Sequence, residues 1–293
     1  MNYTYKNITE DDLIFLHTLF QEPKYQEIFF ESLSTYESWV NRYEEIKTFQ
    51  IVYHFDEKIG VINTKKEDDT LTILLIALKH NLLEKGYGKR IFDDIMHSHP
   101  NLRYLVSVKD TNKRAIAYYI SLGFIRMSEH IEDCGDNGKH LYIDFEKLIL
   151  QPFKEAYRED LLSITVPESS KNFVSTPANI LYKHIKYKDS TKLYLFYINN
   201  ECIGTVLTRL NRSYNSIFIW HLLIDEQHQN KQFGTKIMTY FLKVVKQQSP
   251  KFAIVTTTKT ENALARHFFE KLGFTVHSIE EDINEVNYVW SQT

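Results

Sequence analysis

Apolar and polar residues follow one another along the first half of the chain in patterns that predict strands and helices in turn. Residues 49–55 and 59–63 are largely apolar and flank the polar turn 56–58, which is typical of a β-hairpin. Residues 70–78 and 104–108 are strongly apolar runs of strand length. The pattern therefore predicts a hairpin followed by two buried strands.

Two helices are predicted between and after these strands. The first begins near Gly88, and one of its faces carries the apolar residues Ile91, Phe92, Ile95 and Met96. The second follows residues 110–112, which offer helix N-caps, and its apolar stripe is formed by Ala115, Ile116, Tyr119 and Ile120. Gly123 is placed to end that helix in the left-handed conformation, so that Phe124 starts the next strand.

The second half of the chain repeats the order of features in the first, with Gly88 and Gly234 lying 146 residues apart. A long period with two copies indicates tandem domains rather than a solenoid. We place the boundary at Gln151-Pro152, because proline is disfavoured inside regular elements, and this gives domains 1–150 and 151–293. The predicted fold class is α/β (α+β), with two similar domains, each containing a mixed, mostly antiparallel sheet flanked by helices.

Composition and charge narrow the classes of function. Among 293 residues, 35 are Lys or Arg and 38 are Asp or Glu, so the net charge of −3 lacks the basic character typical of nucleic-acid binders. The two cysteines, Cys134 and Cys202, make no disulfide framework, and no Cys/His cluster has metal-site spacing. No signal peptide is recognisable, and the longest apolar run, 74–78, is too short to span a membrane. We expect a cytoplasmic protein without nucleic-acid, membrane or metal partners.

The turn Gly86-Tyr87-Gly88, between a strand and a helix, is the sharpest local signal for chemistry. Glycines let backbone N–H groups turn toward an anion, and the helix that follows contributes the positive end of its dipole. Such a turn suits a phosphate or pyrophosphate, and a purely structural strand-to-helix turn is the open alternative. The dinucleotide-binding fingerprint fits poorly because Ile91 replaces its third glycine, and a Walker P-loop is excluded because its Gly-Lys-Ser/Thr is missing.

A second motif follows at a fixed distance from this turn. Residues 112–124 read N-x-x-A-x-x-x-Y-x-x-x-G-F, and residues 262–274 repeat the motif with Phe269 in place of tyrosine. Together with the glycine turn, this motif resembles the GNAT superfamily of N-acetyltransferases, which use acetyl-coenzyme A (acetyl-CoA). Their pyrophosphate loop reads R/Q-x-x-G-x-G/A. Residues 83–88 keep both glycines without the leading Arg or Gln, whereas residues 229–234 keep the leading Gln229 and lose the first glycine.

The second half carries a finer likeness. Residues 219–229 read IWHLLIDEQHQ and are similar to the W-R-L-M-I-D-x-x-Y-Q run of bacterial polyamine and diamine acetyltransferases in this superfamily. His221 and His228 stand where those enzymes have Arg and Tyr, which puts polyamine activity of this half in doubt. A structural role for His221 is favoured over that of a catalytic base.

The resemblance implies a cofactor site in the first half. The backbone of Ile76, Ala77 and Leu78 would contact pantetheine and the thioester carbonyl, acting as an oxyanion-type donor set. Asn112 and Ala115 would lie near the pantetheine arm. The pyrophosphate would be held by the loop residues Leu83, Glu84, Lys85, Gly86, Tyr87, Gly88, Lys89 and Arg90. The corresponding residues of the second copy are Leu222, Ile224, Gln229, Gly234, Thr235 and Asn262.

The resemblance also implies a direct transfer of the acetyl group to an amine. Tyr119 occupies the position of the family's general acid, where its phenol would protonate the departing thiolate, and a packing role for this apolar-face residue is the open alternative. No residue can be named as the base that deprotonates the amine.

Only the first half combines both glycines with the tyrosine. We therefore expect it to bind acetyl-CoA and acetylate a primary amine of a small molecule or peptide, with the second half as a partly decayed copy. The tandem fusion is expected to replace a homodimer and leave a monomer. The alternative is a catalytically inactive scaffold that senses acyl-CoA or binds other proteins.

Overall fold

Each half of the chain folds around a seven-stranded sheet in the computed structural model, which describes residues 3–22, 25, 35–99, 102–133 and 139–290. The first half contains β1 (Tyr3–Asn7), α1 (Leu13–Phe20), α2 (Tyr36–Asn41), α3 (Tyr43–Ile46), β2 (Gln50–His54), β3 (Glu57–Glu67), β4 (Thr70–Leu78), α4 (Tyr87–Ser98), β5 (Arg103–Lys109), α5 (Lys113–Ser121), β6 (Phe124–Asp133) and β7 (Lys139–Lys147). The second half contains β8 (Ile149–Pro152), α6 (Arg158–Ser163), α7 (Pro177–Lys186), β9 (Thr191–Ile198), β10 (Glu201–Asn211), β11 (Ser216–Ile224), α8 (Phe233–Gln248), β12 (Ala253–Lys259), α9 (Ala263–Lys271), β13 (Phe274–Glu280) and β14 (Glu285–Trp290).

The two sheets have the same topology. The first has the order β1-β2-β3-β4-β5-β7-β6, and the second, read from its other edge, has the order β8-β9-β10-β11-β12-β14-β13. All neighbours are antiparallel except one central pair in each sheet, β4 with β5 and β11 with β12. The predicted fold class and the internal repeat are confirmed.

The chain divides between Lys147 and Leu148 rather than at Gln151-Pro152. Strand β8 pairs with β9, so the predicted cut falls inside a strand of the second sheet. Pro152 is tolerated there because it is the last residue of an edge strand, where a missing N–H costs no ladder hydrogen bond.

Both faces of the first sheet are packed, but not equally. One face carries α4 and α5 over a core that includes Ile73, Phe92 and Phe145. The other carries α1, α2 and α3 over a core that includes Val61 and Ala77, on the β1–β4 side of the sheet. No helix of the described ranges is long and apolar enough to cross a membrane.

A β-bulge interrupts the central strand of each sheet at the same place. In β4, Ile73 and Leu75 pair with consecutive residues of β3, so Leu74 is the extra residue. Trp220 is the extra residue in β11. Pairing between β4 and β5 ends at Ile73, which leaves the last five residues of β4 without a partner on the β5 side. The bulge and the lost pairing together open a gap between the two parallel strands.

Glycine is required where β3 crosses the end of β4. A Cβ added to Gly60 would lie 2.3 Å from the Ala77 carbonyl oxygen, and one added to Gly204 would lie 2.5 Å from the Leu223 oxygen. Because both obstacles are backbone atoms, no side-chain rotation can relieve the clash. The two copies share this close approach at equivalent positions.

We expect Gly60→Ala to destabilise the first unit by about 2 kcal/mol, because the added methyl group must displace the end of β4. Urea denaturation measures the change, with Lys65→Ala, an exposed position on the same strand, as the control. A Gly60→Ala protein as stable as the control would contradict this close packing.

Candidate functional site

The gap in each sheet is lined by backbone N–H groups that make no hydrogen bond to a neighbouring strand. The Lys79 N–H donates to the Ile59 carbonyl at 3.0 Å. Since hydrogen-bonded pairs alternate along an antiparallel ladder, Ala77 bonds with β3, while the N–H groups of Ile76 and Leu78 point into the gap. Of the three predicted donors, Ala77 is therefore excluded by its pairing.

The second sheet repeats this arrangement. The Asp225 N–H donates to the Ile203 carbonyl at 3.0 Å, so Leu223 is paired with β10. The N–H groups of Leu222 and Ile224 consequently point into the gap, as their predicted role requires.

Tyr25 covers the end of the gap in the first unit, a contact that the sequence did not reveal. Its hydroxyl accepts from the Leu78 N–H at 2.7 Å and donates to the Leu78 carbonyl at 2.7 Å. Burial raises the pKa of Tyr25 to about 12, so the phenol stays protonated and can make both bonds at neutral pH. The predicted Leu78 donor is thus already engaged, which leaves Ile76 as the gap-facing donor of the predicted set.

The loops after β4 and β11 have the same backbone conformation. Glu84 and Gly86 have φ of 60° and 79°, and their counterparts Asn230 and Gln232 have φ of 61° and 62°. Gln232 therefore adopts the left-handed conformation that Gly86 adopts freely, at a cost of about 1 kcal/mol. The loss of glycine has not changed the path of the second loop.

Gly88 has a packing role that the phosphate-loop interpretation did not anticipate. A Cβ at Gly88 would lie 3.0 Å from the Tyr118 hydroxyl, and one at Gly234 would lie 3.3 Å from the Phe268 ring. These glycines let the aromatic residue on the following helix lie against the first turn of α4 or α8. The Tyr118 hydroxyl is buried and has no hydrogen-bond partner within the described ranges.

The predicted cationic residues of the first loop are partly engaged with their neighbours. The Lys89 ammonium donates to the Asp93 carboxylate at 2.6 Å. The Arg90 guanidinium donates to the Lys85 carbonyl at 3.1 Å and lies over the Tyr87 ring at 5.1 Å. These contacts keep positive charge beside the first turn of α4, where the free N–H groups of a helix attract anions.

Two further loop residues make contacts of their own. The Glu84 carboxylate lies 3.4 Å from Arg114, and both side chains are exposed. Leu83, at the position of the family's leading Arg or Gln, packs against the core. In the second loop the Gln229 side-chain amide donates to the Ile224 carbonyl at 2.8 Å and ties the loop to the end of β11. Thr235 lies in the first turn of α8, directly after Gly234.

Asn112 and Asn262 act as helix N-caps. Their side-chain oxygens accept from the N–H groups of Ala115 and Ala265 at 3.0 and 3.1 Å. This agrees with the capping pattern of the sequence. The pantetheine contacts expected of Asn112, Ala115 and Asn262 remain predictions.

Tyr119 lies in the core, with 6% of its surface exposed. Its ring packs against Tyr118 and Phe124, and burial raises the pKa of its phenol. Phe269, at 7% exposure, packs in the same way against Phe268 and Phe274. Both units thus pack an aromatic ring at this position, and the second unit does so without a hydroxyl.

The histidines that depart from the polyamine-enzyme pattern have different surroundings. His221 Nε2 lies 2.8 Å from the Lys183 ammonium, and burial together with that charge lowers the pKa of His221 to about 4. A neutral imidazole that accepts from Lys183 is consistent with the structural role. His228 lies 3.6 Å from the carboxylates of Asp225 and Glu201.

Metal and thiol chemistry find no support in the parts of the chain that the structure describes. No group of three or more His, Cys, Asp or Glu side chains in those ranges could hold a metal ion. Burial raises the pKa of the Cys202 thiol to about 12, which makes it a poor nucleophile. Cys134, which we expect to be inert, lies outside the described residues.

A family model for GNAT acetyltransferases matches residues 13–124 and again residues 155–274. The chain belongs to this family. Acetyl-CoA is the co-substrate of GNAT enzymes, whose members transfer acyl groups to amines. A search of curated protein sequences gives no significant match.

Solved GNAT structures resemble one domain of the tandem. An acetyltransferase from Thermus thermophilus is 18% identical, with a TM-score of 0.41, and covers 50% of this chain and 97% of its own. The PaiA N-acetyltransferase of Thermoplasma acidophilum in complex with coenzyme A is 22% identical, with a TM-score of 0.34, and covers 50% and 99%. The spermidine N-acetyltransferase of Vibrio cholerae in complex with CoA and spermine is 15% identical, with a TM-score of 0.41, and covers 48% and 92%.

We expect the His221 imidazole of this GNAT protein to stay neutral until the pH approaches 4, and NMR titration of its ring protons measures this directly. The unfolded-state pKa is about 6.5, so the stability gained from neutral His221 is present above that pH and lost as the pH falls toward 4. Lys183→Met should raise the pKa because it removes a neighbouring positive charge.

Lys186→Met is the matched control, because Lys186 is an exposed cation on the same helix. A His221 pKa that responds equally to both substitutions would contradict a direct effect of Lys183.

Proposed function

We propose that this chain is an acetyl-CoA-dependent N-acetyltransferase that acetylates a primary amine of a small molecule or peptide, and that the first unit performs the chemistry. The observation that carries the proposal is the Tyr119 hydroxyl. Phe269 fills the equivalent place in the second unit without a hydroxyl, so packing does not account for the oxygen at position 119.

The residues around the gap suit acetyl-CoA. Gap-facing N–H groups at Ile76 and Leu78 are donors for amide and thioester oxygens, and the first turn of α4 with its cationic side chains suits a pyrophosphate. The buried Tyr118 hydroxyl, which has no partner in the described ranges, is a further polar group that a ligand would satisfy. The residues proposed to hold the cofactor are Ile76, Leu78, Leu83, Glu84, Lys85, Gly86, Tyr87, Gly88, Lys89, Arg90, Asn112 and Ala115.

Cofactor binding in the first unit requires Tyr25 to move. Its hydroxyl holds the N–H and carbonyl of Leu78, the same backbone groups that the pantetheine arm would use. We infer that the first unit binds its cofactor by exchanging one set of hydrogen bonds for another.

When bound, acetyl-CoA supplies the activated acetyl group. Tyr119 Oη would donate a proton to the sulfur that leaves as the amine nitrogen forms its bond to the acetyl carbon and the thioester C–S bond breaks. Burial raises the pKa of Tyr119 and so keeps the phenol in the protonated form that a general acid needs.

A second function is favoured for the second unit. Leu222 and Ile224 direct their N–H groups into its gap. The Gln229 side chain holds the carbonyl of Ile224, whereas Tyr25 holds both the carbonyl and the N–H of Leu78. Phe269 cannot donate a proton. We propose that the second unit binds the cofactor through Leu222, Ile224, Gln229, Gly234, Thr235 and Asn262 without catalysing transfer.

Thiol release from acetyl-CoA by the full chain tests the proposed activity. The assay uses a panel of diamines, polyamines, amino-acid amides and peptides, with calorimetric titration of coenzyme A in parallel. Amine-dependent thiol release supports the enzyme. Binding of coenzyme A without release for any amine would favour the scaffold alternative for both units.

Tyr119→Phe should lower kcat by about a hundredfold, because it removes the proton donor and keeps the ring. The dissociation constant for coenzyme A should change less than twofold, and thermal stability should be retained, since Phe269 shows that phenylalanine fits this place. Steady-state kinetics and calorimetry measure both effects.

The reverse substitution, Phe269→Tyr, is the matched control and should leave kcat unchanged. A wild-type kcat in Tyr119→Phe would remove Tyr119 from the mechanism and with it the assignment of chemistry to the first unit.

A further inference from the structure

A polar cluster lies on the open face of the first sheet. Asp144 on β7 is the cross-strand partner of Ser107 on β5 and of Ser128 on β6. Its chain neighbours Ile143 and Phe145 are buried in the core under α4 and α5, so Asp144 points to the opposite face. The core under α1–α3 lies on the β1–β4 side, which leaves Asp144 one-third exposed.

Asp144 is held by three donors. Its Oδ2 atom accepts from Ser128 Oγ at 2.8 Å and from His130 Nδ1 at 3.1 Å, and the Ser107 hydroxyl donates to the same carboxyl group. These hydrogen bonds lower the pKa of Asp144, so the group is ionised at neutral pH. A carboxylate has about four acceptor sites, which leaves capacity for one more donor.

An aromatic surface adjoins the carboxylate. The His130 ring stacks on Tyr142 with centroids 5.7 Å apart and an angle of 15° between the planes. Tyr142 lies two residues before Asp144 on the same strand and therefore on the same face. A carboxylate beside aromatic rings is a favourable setting for an ammonium group.

The cluster begins at the opening of the gap. Val106 is the last residue of β5 that pairs with β4, and Ser107 follows it directly. Asp144 lies one strand further, at the same level as Ser107. The strand register thus places the carboxylate beside the point where β4 and β5 separate, on the face that α4 and α5 do not cover.

The second unit has a corresponding polar cluster with a different residue at its central position. Asn287 replaces Asp144, accepts from Thr257 Oγ1 at 2.6 Å, and donates through Nδ2 to Ser278 Oγ at 3.0 Å and Glu280 Oε1 at 2.7 Å. Both amide protons are used, and an NH2 group cannot accept from a cation. The comparison shows that an asparagine fits this position. In the second unit the carboxylate of the cluster belongs to Glu280, on the neighbouring strand, and it accepts from Asn287.

We propose that Asp144 binds the acceptor amine as an ammonium group, which gives up a proton to solvent before its nitrogen attacks the acetyl carbon. Ser107, Ser128 and His130 are positioning residues that fix the carboxylate. This assignment rests on the proposed acetyltransferase function and restricts the acceptors to amines that reach the site as cations. The second unit has an amide, Asn287, at the central position, and its Glu280 carboxylate is already engaged by that amide.

Asp144→Asn is the sharpest test, because it copies the residue that the second unit accommodates at the same place. With spermidine as the acceptor probe, we expect KM for the amine to rise about tenfold, the loss of one charge-assisted hydrogen bond. KM for acetyl-CoA should change less than twofold. Calorimetric titration of spermidine into the chain without cofactor should show the same loss of affinity.

Glu132→Gln is the matched control, since it removes the same charge from an exposed position on β6. It should leave both KM values within twofold of wild type. Equal effects of the two substitutions would indicate a long-range electrostatic origin and overturn the assignment, as would an unchanged spermidine affinity in Asp144→Asn or no spermidine binding by the wild type.

Failure of the proposed function is distinguishable from failure of this assignment. If no amine is acetylated but spermidine binds and Asp144→Asn weakens that binding, the binding site stands and the enzymatic proposal falls. If spermidine is acetylated and its KM is unchanged in Asp144→Asn, the enzymatic proposal stands and the assignment of the binding site to Asp144 falls.

Discussion

The pairing of the two central parallel strands stops after four residue pairs in each unit, and the rest of the site depends on that interruption. A bulge at Leu74 or Trp220 turns the strand away from its neighbour. Backbone N–H groups that would otherwise complete a sheet then face an open gap. An unpaired polar backbone group is costly to bury, so such an edge is stable only when water, a side chain or a ligand satisfies it. The Tyr25 hydroxyl meets this need at Leu78.

Much of the architecture could be predicted from the sequence because the periodicity of apolar residues and the capping of helices depend on residues that are close together in the chain. The strand at residues 70–78, the cap at Asn112 and the left-handed Gly123 all follow from side-chain chemistry near the residue concerned. The family followed from motif spacing in both halves. The boundary at Lys147 was missed because Pro152 looks like a breaker, and only the pairing of β8 reveals that it ends an edge strand. Gly60 and Gly204 could have been noticed in the sequence, because they occupy corresponding positions before β4 and β11. The nearby carbonyl oxygen that requires glycine is a tertiary contact, which the sequence does not show.

The site could be predicted only in outline, for a similar reason. Sequence cannot tell which N–H groups of a strand face its partner until the register is known, so Ala77 was grouped with Ile76 and Leu78. The Tyr25 contact joins residues 53 positions apart and has no motif. Asp144 lies in a strand with an ordinary alternating pattern of apolar and polar residues. Its proposed role as a binding group becomes apparent only from the fold, which brings Ser107, Ser128 and His130 around it. The two copies differ at such positions, with Tyr119 against Phe269 and Asp144 against Asn287, on strands and helices of the same order. Divergence of this kind fits one unit that reacts and one that binds.

Amide hydrogen exchange, followed by NMR with and without coenzyme A, tests the role of the gap most directly. We expect saturating coenzyme A to slow exchange at Ile76 in the first unit and at Leu222 and Ile224 in the second. Ala77 and Leu223, already bonded within their sheets, should exchange at unchanged rates and serve as internal references. Coenzyme A that binds while the rates at Ile76, Leu222 and Ile224 remain unaltered would show that the open strand edges do not hold the cofactor.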